Sequence, residues 1–225
     1  MNKVFVINLE SRPDRLNRFI KDAPISDTDS IPFDGFKEIE VFTAVVGKDV
    51  PKEYLKKYEN NDFNYRNGII GCAESHITLW ERLINDQEHS FYIIFEDDAK
   101  FDLQFNSHFQ EFLEFNINWD LFYFGGPCSF ADRKAKHGTT NGKFTVPNEN
   151  AIIESKTSLS TIGYAISKNG AKVLLDSVSN GIRYSIDWFM IKNFHKLNVF
   201  SMNPYIVFSN DPNDTDIQHD YTKQV

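Results

Sequence analysis

The sequence predicts an α/β sandwich with a mainly parallel central sheet and flanking helices, on three observations. Short apolar runs of strand length alternate along the chain with longer stretches patterned for helices. Two of those runs, at 91–95 and 119–124, are almost wholly apolar, as strands covered on both faces are. A chain of 225 residues with 41% hydrophobic content can also bury one large core, so 1–225 reads as a single domain.

The elements follow in order. Residues 4–7 form a first strand, and Asn8-Leu9-Glu10-Ser11-Arg12-Pro13 breaks it before a charged helix from about Asp14. Residues 39–46 mix β-branched and aromatic types and read as a second strand. Pro51 then opens a short helical stretch over 53–58. The clearest helix spans about 69–84, where Cys72, Ser75/His76, Leu79 and Leu83 recur at three- and four-residue intervals on one face. The strand at 91–95 runs directly into Glu96-Asp97-Asp98. A helix at 105–115 and a strand at 119–124 follow, the latter closed by Gly125-Gly126-Pro127. Residues 131–150 are basic and poorly patterned and read as a mobile loop that carries Arg133, Lys134 and Lys136. A strand at 161–167, helices at 169–178 and 186–197, and an apolar run at 205–208 complete the fold before a polar tail over 209–225.

Composition narrows the function. Thirty-two acidic against 24 basic side chains give a formal charge of −8, which disfavours a nucleic-acid partner. Two cysteines, Cys72 and Cys128, exclude a disulfide scaffold and suit a reducing compartment. No stretch reaches the roughly 20 apolar residues of a membrane span. The expectation is a cytoplasmic protein, or a soluble catalytic domain excised from a longer chain.

Parallel sheets bind ligands beyond the carboxyl ends of their strands, and two such ends carry chemistry here: 8–15 and 96–98. Three consecutive carboxylates after an apolar strand repel one another and call for a balancing cation. Strand alternation predicts that Glu96 and Asp98 share a face while Asp97 points away. A hard divalent ion such as Mn²⁺ or Mg²⁺ takes such oxygen ligands. The alternative is a solvated turn. His76 and Ser75 point inward, and a buried histidine on such a face is commonly a hydrogen-bonded core residue. Cys72 reads as a small core residue.

Five motifs now carry a resemblance: Asn8-Leu9-Glu10-Ser11-Arg12-Pro13-Asp14-Arg15, Gly71-Cys72-Ala73-Glu74-Ser75-His76, Phe95-Glu96-Asp97-Asp98-Ala99, Gly163-Tyr164-Ala165-Ile166-Ser167 and Asp187-Trp188-Phe189-Met190. In this order they resemble glycosyltransferase family 25, which includes bacterial lipopolysaccharide and lipooligosaccharide galactosyltransferases and procollagen galactosyltransferases. The resemblance implies a GT-A type, Rossmann-like fold, a UDP-sugar donor, a divalent metal, usually Mn²⁺, and inversion at the anomeric carbon. It makes Asp98 the first metal ligand, with Glu96 and, near the C-terminus, His219 completing the shell. Asn8, Leu9, Arg12, Ser75, His76, Glu96, Asp97, Gly163 and Tyr164 are implied around the UDP-sugar. Arg12, in the loop, is preferred over Arg15 as a phosphate or ribose contact. Asp187, with Asp97 as the other acid, is the implied base for the acceptor hydroxyl. Its alternative role is that of an acid favoured at a helix N-terminus.

The implied acceptors are a glycan, a glycolipid or a collagen-like protein, with galactose, glucose or N-acetylglucosamine as the sugar, and a homodimer is left open. Two other classes compete. A two-metal phosphohydrolase would bring several more histidine and acidic ligands from other strand ends than this chain offers. A glycosyltransferase-like domain without catalysis would survive as a binding module or scaffold.

Overall fold

The computed structural model describes residues 3–28, 32–129, 152–156, 158, 160–209 and 216–217. Among the described residues, ten strands and five α-helices order as β1 (Lys3–Asn8), α1 (Pro13–Asp22), β2 (Glu40–Thr43), α2 (Asn67–Asn85), β3 (Phe91–Glu96), β4 (Ala99–Phe101), α3 (Phe105–Glu114), β5 (Leu121–Tyr123), β6 (Gly125–Ser129), β7 (Ile152–Glu154), β8 (Gly163–Ser167), α4 (Lys168–Val178), α5 (Ile186–Lys192), β9 (Val199–Met202) and β10 (Val207–Ser209). Short 3₁₀ turns at Gly47–Asp49 and Lys52–Tyr58 link β2 to α2.

Seven strands form the main sheet in the order β2-β1-β3-β8-β5-β9-β7. β1 pairs parallel with β2 and β3, and β5 with β9. β8 runs antiparallel between β3 and β5, and β7 antiparallel beside β9. Five strands therefore share one direction, as the expected GT-A type sandwich requires. A second sheet, β4-β10-β6, packs against it, with Ala99, Phe101 and Val207 in one core layer with Val6, Ile93 and Phe95.

Alternation along each strand divides the core in two. Phe5, Ile7, Tyr92, Ile94, Leu121, Tyr123, Tyr164 and Ile166 face α2, α4 and α5. Val4, Val6, Ile93, Phe95, Phe122, Phe124 and Ala165 face α1 and α3, whose Phe19, Phe105, Phe109 and Phe112 fill the other layer. Each fully buried ring removes enough apolar surface to contribute about 1.5–3 kcal/mol.

Helix boundaries follow local signals. Pro13 occupies the first turn of α1, where its missing N–H costs nothing. Ser167 caps α4 by accepting from the Gly170 N–H at 3.0 Å. The expected 186–197 helix is two pieces, α5 and a 3₁₀ turn at Phe194–Lys196. Strands β4, β6, β7 and β9 lie in stretches for which no strand was expected; each is three to five residues long, and β6 takes up the Gly125-Gly126-Pro127 stretch read as the close of the preceding strand. The expected loop at 131–150 lies outside the described residues.

Candidate active site

The parallel neighbours β1 and β3 end side by side, with Ile7 opposite Glu96. Parity carries Glu96 to the same face as Tyr92 and Ile94, and so towards α2. The strand stops there, and Asp97 and Asp98 lie in the turn to β4. Alternation does not extend through a turn, so the expected pairing of Glu96 with Asp98 gives way to a different one. Asp97 and Asp98 share a partner in Arg15, while Glu96 is drawn to the α2 side.

On that side five groups form a connected relay. The Trp80 indole donates to the Tyr164 hydroxyl at 3.0 Å. Tyr164 stands 2.9 Å from Nδ1 of His76, whose Nε2 lies 3.3 Å from Oε1 of Glu96. Thr161 donates to the same oxygen at 2.6 Å. The Glu96 carboxylate accepts, so the imidazole N–H at Nε2 faces it, while the Tyr164 hydroxyl takes the indole N–H and bonds Nδ1 of the same ring. Burial pushes the Glu96 carboxyl up, but the hydrogen bond and charge of His76, with Thr161 and Arg15, outweigh it and hold the group below its ordinary value. Tyr164 and His76 are buried to within 1% of full enclosure, so both order Glu96 from inside the core.

On the α1 side the organising residue is Arg15. Its Nη2 lies 2.5 Å from Asp97 and 3.5 Å from Asp98, and its Nη1 lies 3.1 Å from Asp216. Asn8 donates to Asp97 Oδ2 at 2.6 Å and to the Arg12 carbonyl at 3.0 Å, tying the end of β1 to this turn. Arg12 reaches Asp216 at 2.7 Å and Asp14 at 3.0 Å. Ser209 donates to Asp98 Oδ2 at 3.2 Å. Burial raises Asp97 to about 6 against the opposing pull of Arg15 and Asn8. Burial also raises Asp98 to about 7, helped by repulsion from Glu96.

Among the described residues two buried atoms in this cluster have no hydrogen-bond partner, the donor Arg15 Nε and the acceptor Asp98 Oδ1, the latter held only by the 3.5 Å ion pair with Arg15 Nη2. An orphan of each sign beside the same carboxylates is what a site for a cation together with an anion leaves open.

A cavity of about 230 Å³ opens at this edge, lined by the carboxylates, Leu9, Arg15, Cys72, His76 and Asp216 among others. Its wall over 44–48 sits directly on the start of α2 because two glycines permit it. A Cβ on Gly47 would stand 1.9 Å from the Asn67 carbonyl oxygen, and one on Gly71 would stand 2.4 Å from that of Val45. Ser75 locks the contact, accepting from the Val45 N–H at 2.8 Å and donating to the Gly71 carbonyl at 2.7 Å.

The structure thus gathers Asn8, Leu9, Arg12, His76, Glu96, Asp97 and Asp98 around one edge. Ser75 serves the cavity wall through its backbone bonds. Tyr164 acts through His76, and Gly163 packs against the Phe95 ring, where a Cβ would stand 3.0 Å away. Asp187 does not line the cavity; it accepts from Ser185 at 2.6 Å and from the Trp188 N–H at 2.8 Å, both on Oδ1. Burial pushes the Cys72 thiol well above its ordinary value, and the charges of Glu96, Asp187 and Asp98 add to the shift. His219, Arg133, Lys134 and Lys136 lie outside the described residues. Arg15, ranked below Arg12 on sequence, is the better-placed cation, buried to 8% exposure where Arg12 is half-buried. Asp216 was missed, because nothing in a polar tail marks one acid for return to the strand ends. No helix among the described residues is long and apolar enough to cross a membrane.

The model of "Glycosyltransferase family 25 (LPS biosynthesis protein)" matches residues 1–190. The chain belongs to glycosyltransferase family 25. Among family 25 relatives, procollagen galactosyltransferase 2 of Mus musculus is 27% identical over 218 residues, covering 91% of this chain and 32% of that one. A glycosyltransferase 25 family member of Aedes aegypti is 27% identical over 235 residues, covering 97% and 33%. The inactive glycosyltransferase 25 family member 3 of Homo sapiens is 26% identical over 183 residues, covering 78% and 29%. The chain spans about a third of the length of these curated relatives. A crystal structure of mouse xyloside xylosyltransferase 1 aligns at 12% identity with a TM-score of 0.39, over 86% of this chain and 82% of that one, too distant to bear on the site.

Proposed function

We propose that this chain is a metal-dependent, inverting glycosyltransferase that moves a hexose from a UDP-sugar to an acceptor hydroxyl. The observation that carries the reading is the pair of orphans, Asp98 Oδ1 and Arg15 Nε, facing one cluster at the carboxyl ends of β1 and β3. Membership of family 25 supports the reaction class.

The donor set is all oxygen, which suits Mn²⁺ or Mg²⁺. Asp98 would hold the ion, with Asp97 as its neighbour; Glu96, engaged by His76 and Thr161, is a weaker candidate ligand than Asp98. When bound, the ion neutralises charge building on the departing diphosphate. Arg15 adds a fixed cation at the same place, pre-oriented by Asp97 and Asp216. Asn8 and Leu9 offer the end of β1 to the nucleotide, and residues 44–48 line one wall of the cavity.

In the transfer, the acceptor oxygen attacks the anomeric carbon as its bond to the diphosphate breaks, and UDP leaves with the electron pair. A carboxylate takes the hydroxyl proton. Asp187 suits this role better than Asp97. Both its hydrogen bonds fall on Oδ1, leaving Oδ2 for the acceptor, whereas Asp97 has both oxygens engaged by Arg15 and Asn8. The names of the family and its relatives suggest a glycolipid or collagen-like acceptor and galactose as the first donor to try, ahead of glucose and N-acetylglucosamine.

The test is UDP release from a panel of UDP-sugars, with and without Mn²⁺, in the wild type and Asp98→Ala. Release from one sugar, dependent on metal and lost in the variant, is expected. A second reading, a family member without catalysis that acts as a binding module, is favoured by one fact: relatives named as inactive match at similar identity. It predicts UDP binding with no release from any sugar.

A further inference from the structure

Cys72 and His76 stand one turn apart on α2, and Glu96 reaches them from the end of β3. One ligand-capable atom from each, Sγ, an imidazole nitrogen and a carboxylate oxygen, lies within 4.8 Å of the other two. All three residues line the cavity, so an ion can reach them. We propose that Cys72, His76 and Glu96 form a second cation site, for a borderline, thiophilic divalent ion such as Zn²⁺, beside the all-oxygen cluster of Asp97 and Asp98.

The chemistry fits in four respects. Residues four apart on a helix present two ligands to one ion, and a carboxylate from another element makes a third, leaving a position open to water. Ligand atoms around a tetrahedral zinc stand roughly 3.3–3.8 Å apart, from bonds of about 2.0–2.3 Å, so closure asks for about 1 Å of side-chain adjustment. Sulfur and imidazole select Zn²⁺ or Co²⁺ over the hard ions that carboxylates alone prefer. The outer shell is also built: Tyr164 meets Nδ1 of His76 and receives the Trp80 N–H, so its two lone pairs can take both donors once the imidazole proton moves to Nδ1. Binding converts the thiol to a thiolate and releases its proton to solvent, one per ion. The burial that raises this thiol is the cost the ion must overcome.

The site is read by metal binding alone and stands or falls independently of glycosyl transfer. The probe is Co²⁺ added to the full chain under reducing conditions. A near-ultraviolet thiolate-to-cobalt band is expected at one equivalent with release of one proton, and Zn²⁺ should then displace the cobalt and abolish the band with no further proton release. The band should vanish in Cys72→Ser and survive in Cys128→Ser and Asp98→Asn. Tyr164→Phe should weaken binding by about 10–100-fold. In the wild type, Zn²⁺ should slow alkylation of Cys72, a readout that needs no variant to fold. Absence of the band, its persistence in Cys72→Ser, or alkylation of Cys72 at an unchanged rate would overturn the site.

Discussion

The two faces of the central sheet are both rich in aromatic rings but use them differently. Against α1 and α3, all nine buried aromatics of the cluster are phenylalanine, from Phe19 through Phe124. Against α2, α4 and α5, five of eight carry a hydroxyl or indole N–H: Tyr58, Trp80, Tyr92, Tyr123 and Tyr164. The phenylalanine layer interlocks ring on ring, as where Phe109 stacks on Phe105 at 5.2 Å and contacts Phe33, Phe36, Phe112 and Phe124. The tyrosine layer spends its polar tips on ionisable groups. Tyr58 donates to Glu74 at 2.5 Å, Tyr92 to Asp86 at 2.6 Å, and Tyr164 orders His76. One face packs ring on ring and the other turns polar tips to ionisable groups, while the carboxylate-lined cavity at the strand ends draws on both, Arg15 from α1 and Cys72 and His76 from α2.

That contrast breaks first at the phenylalanine layer. Phe109→Ala should cost about 3–5 kcal/mol of stability by cavity formation while leaving UDP affinity of the folded fraction unchanged, which denaturant titration with calorimetry separates. Next comes Arg15→Met, which strands Asp97 and Asp98 without their guanidinium. A loss of about 3 kcal/mol is expected in metal-free protein, with part of it recovered on adding Mn²⁺, as melting curves with and without the ion would report.

Tyr164→Phe removes one oxygen and keeps the ring. It should cost roughly 1–3 kcal/mol, since the Trp80 N–H loses its acceptor, and it should act on the site where an equal loss in the phenylalanine layer would not. The smallest effect is a pH slope. The Tyr92 hydroxyl donating to Asp86 holds that carboxyl below its ordinary 3.8, against a smaller effect of burial, with the backbone N–H groups of Glu88 and His89 helping. A depressed folded value means stability that is full above the unfolded value and lost as pH falls below about 4. Asp86→Asn should lower stability at neutral pH and flatten that acid limb in melting curves from pH 5 downward.

Much of this was legible in the sequence, and the reasons for the rest are physical. Strand parity on β3 and β8 places Ile94, Glu96 and Tyr164 on one face, and helical spacing aims His76 at it, so the relay could be anticipated from period alone. Arg15 precedes Phe19 by one turn, which marks it as lying on the buried stripe of α1; charge alone suggested the loop residue Arg12 instead. The split between Glu96 and the two aspartates depends on where β3 ends, and boundaries are set by hydrogen bonds that a residue pattern does not display. Asp216 arrives from more than a hundred residues beyond Asp98, a contact that only the folded chain closes.

The most direct measurement is calorimetric titration of UDP into the intact chain, with and without Mn²⁺, in the wild type and in Asp98→Asn. The orphaned Asp98 oxygen and Arg15 nitrogen predict binding that needs the ion and disappears in the variant. Equal UDP affinity without metal, or binding untouched by Asp98→Asn, would contradict the assignment of this cluster as a donor site.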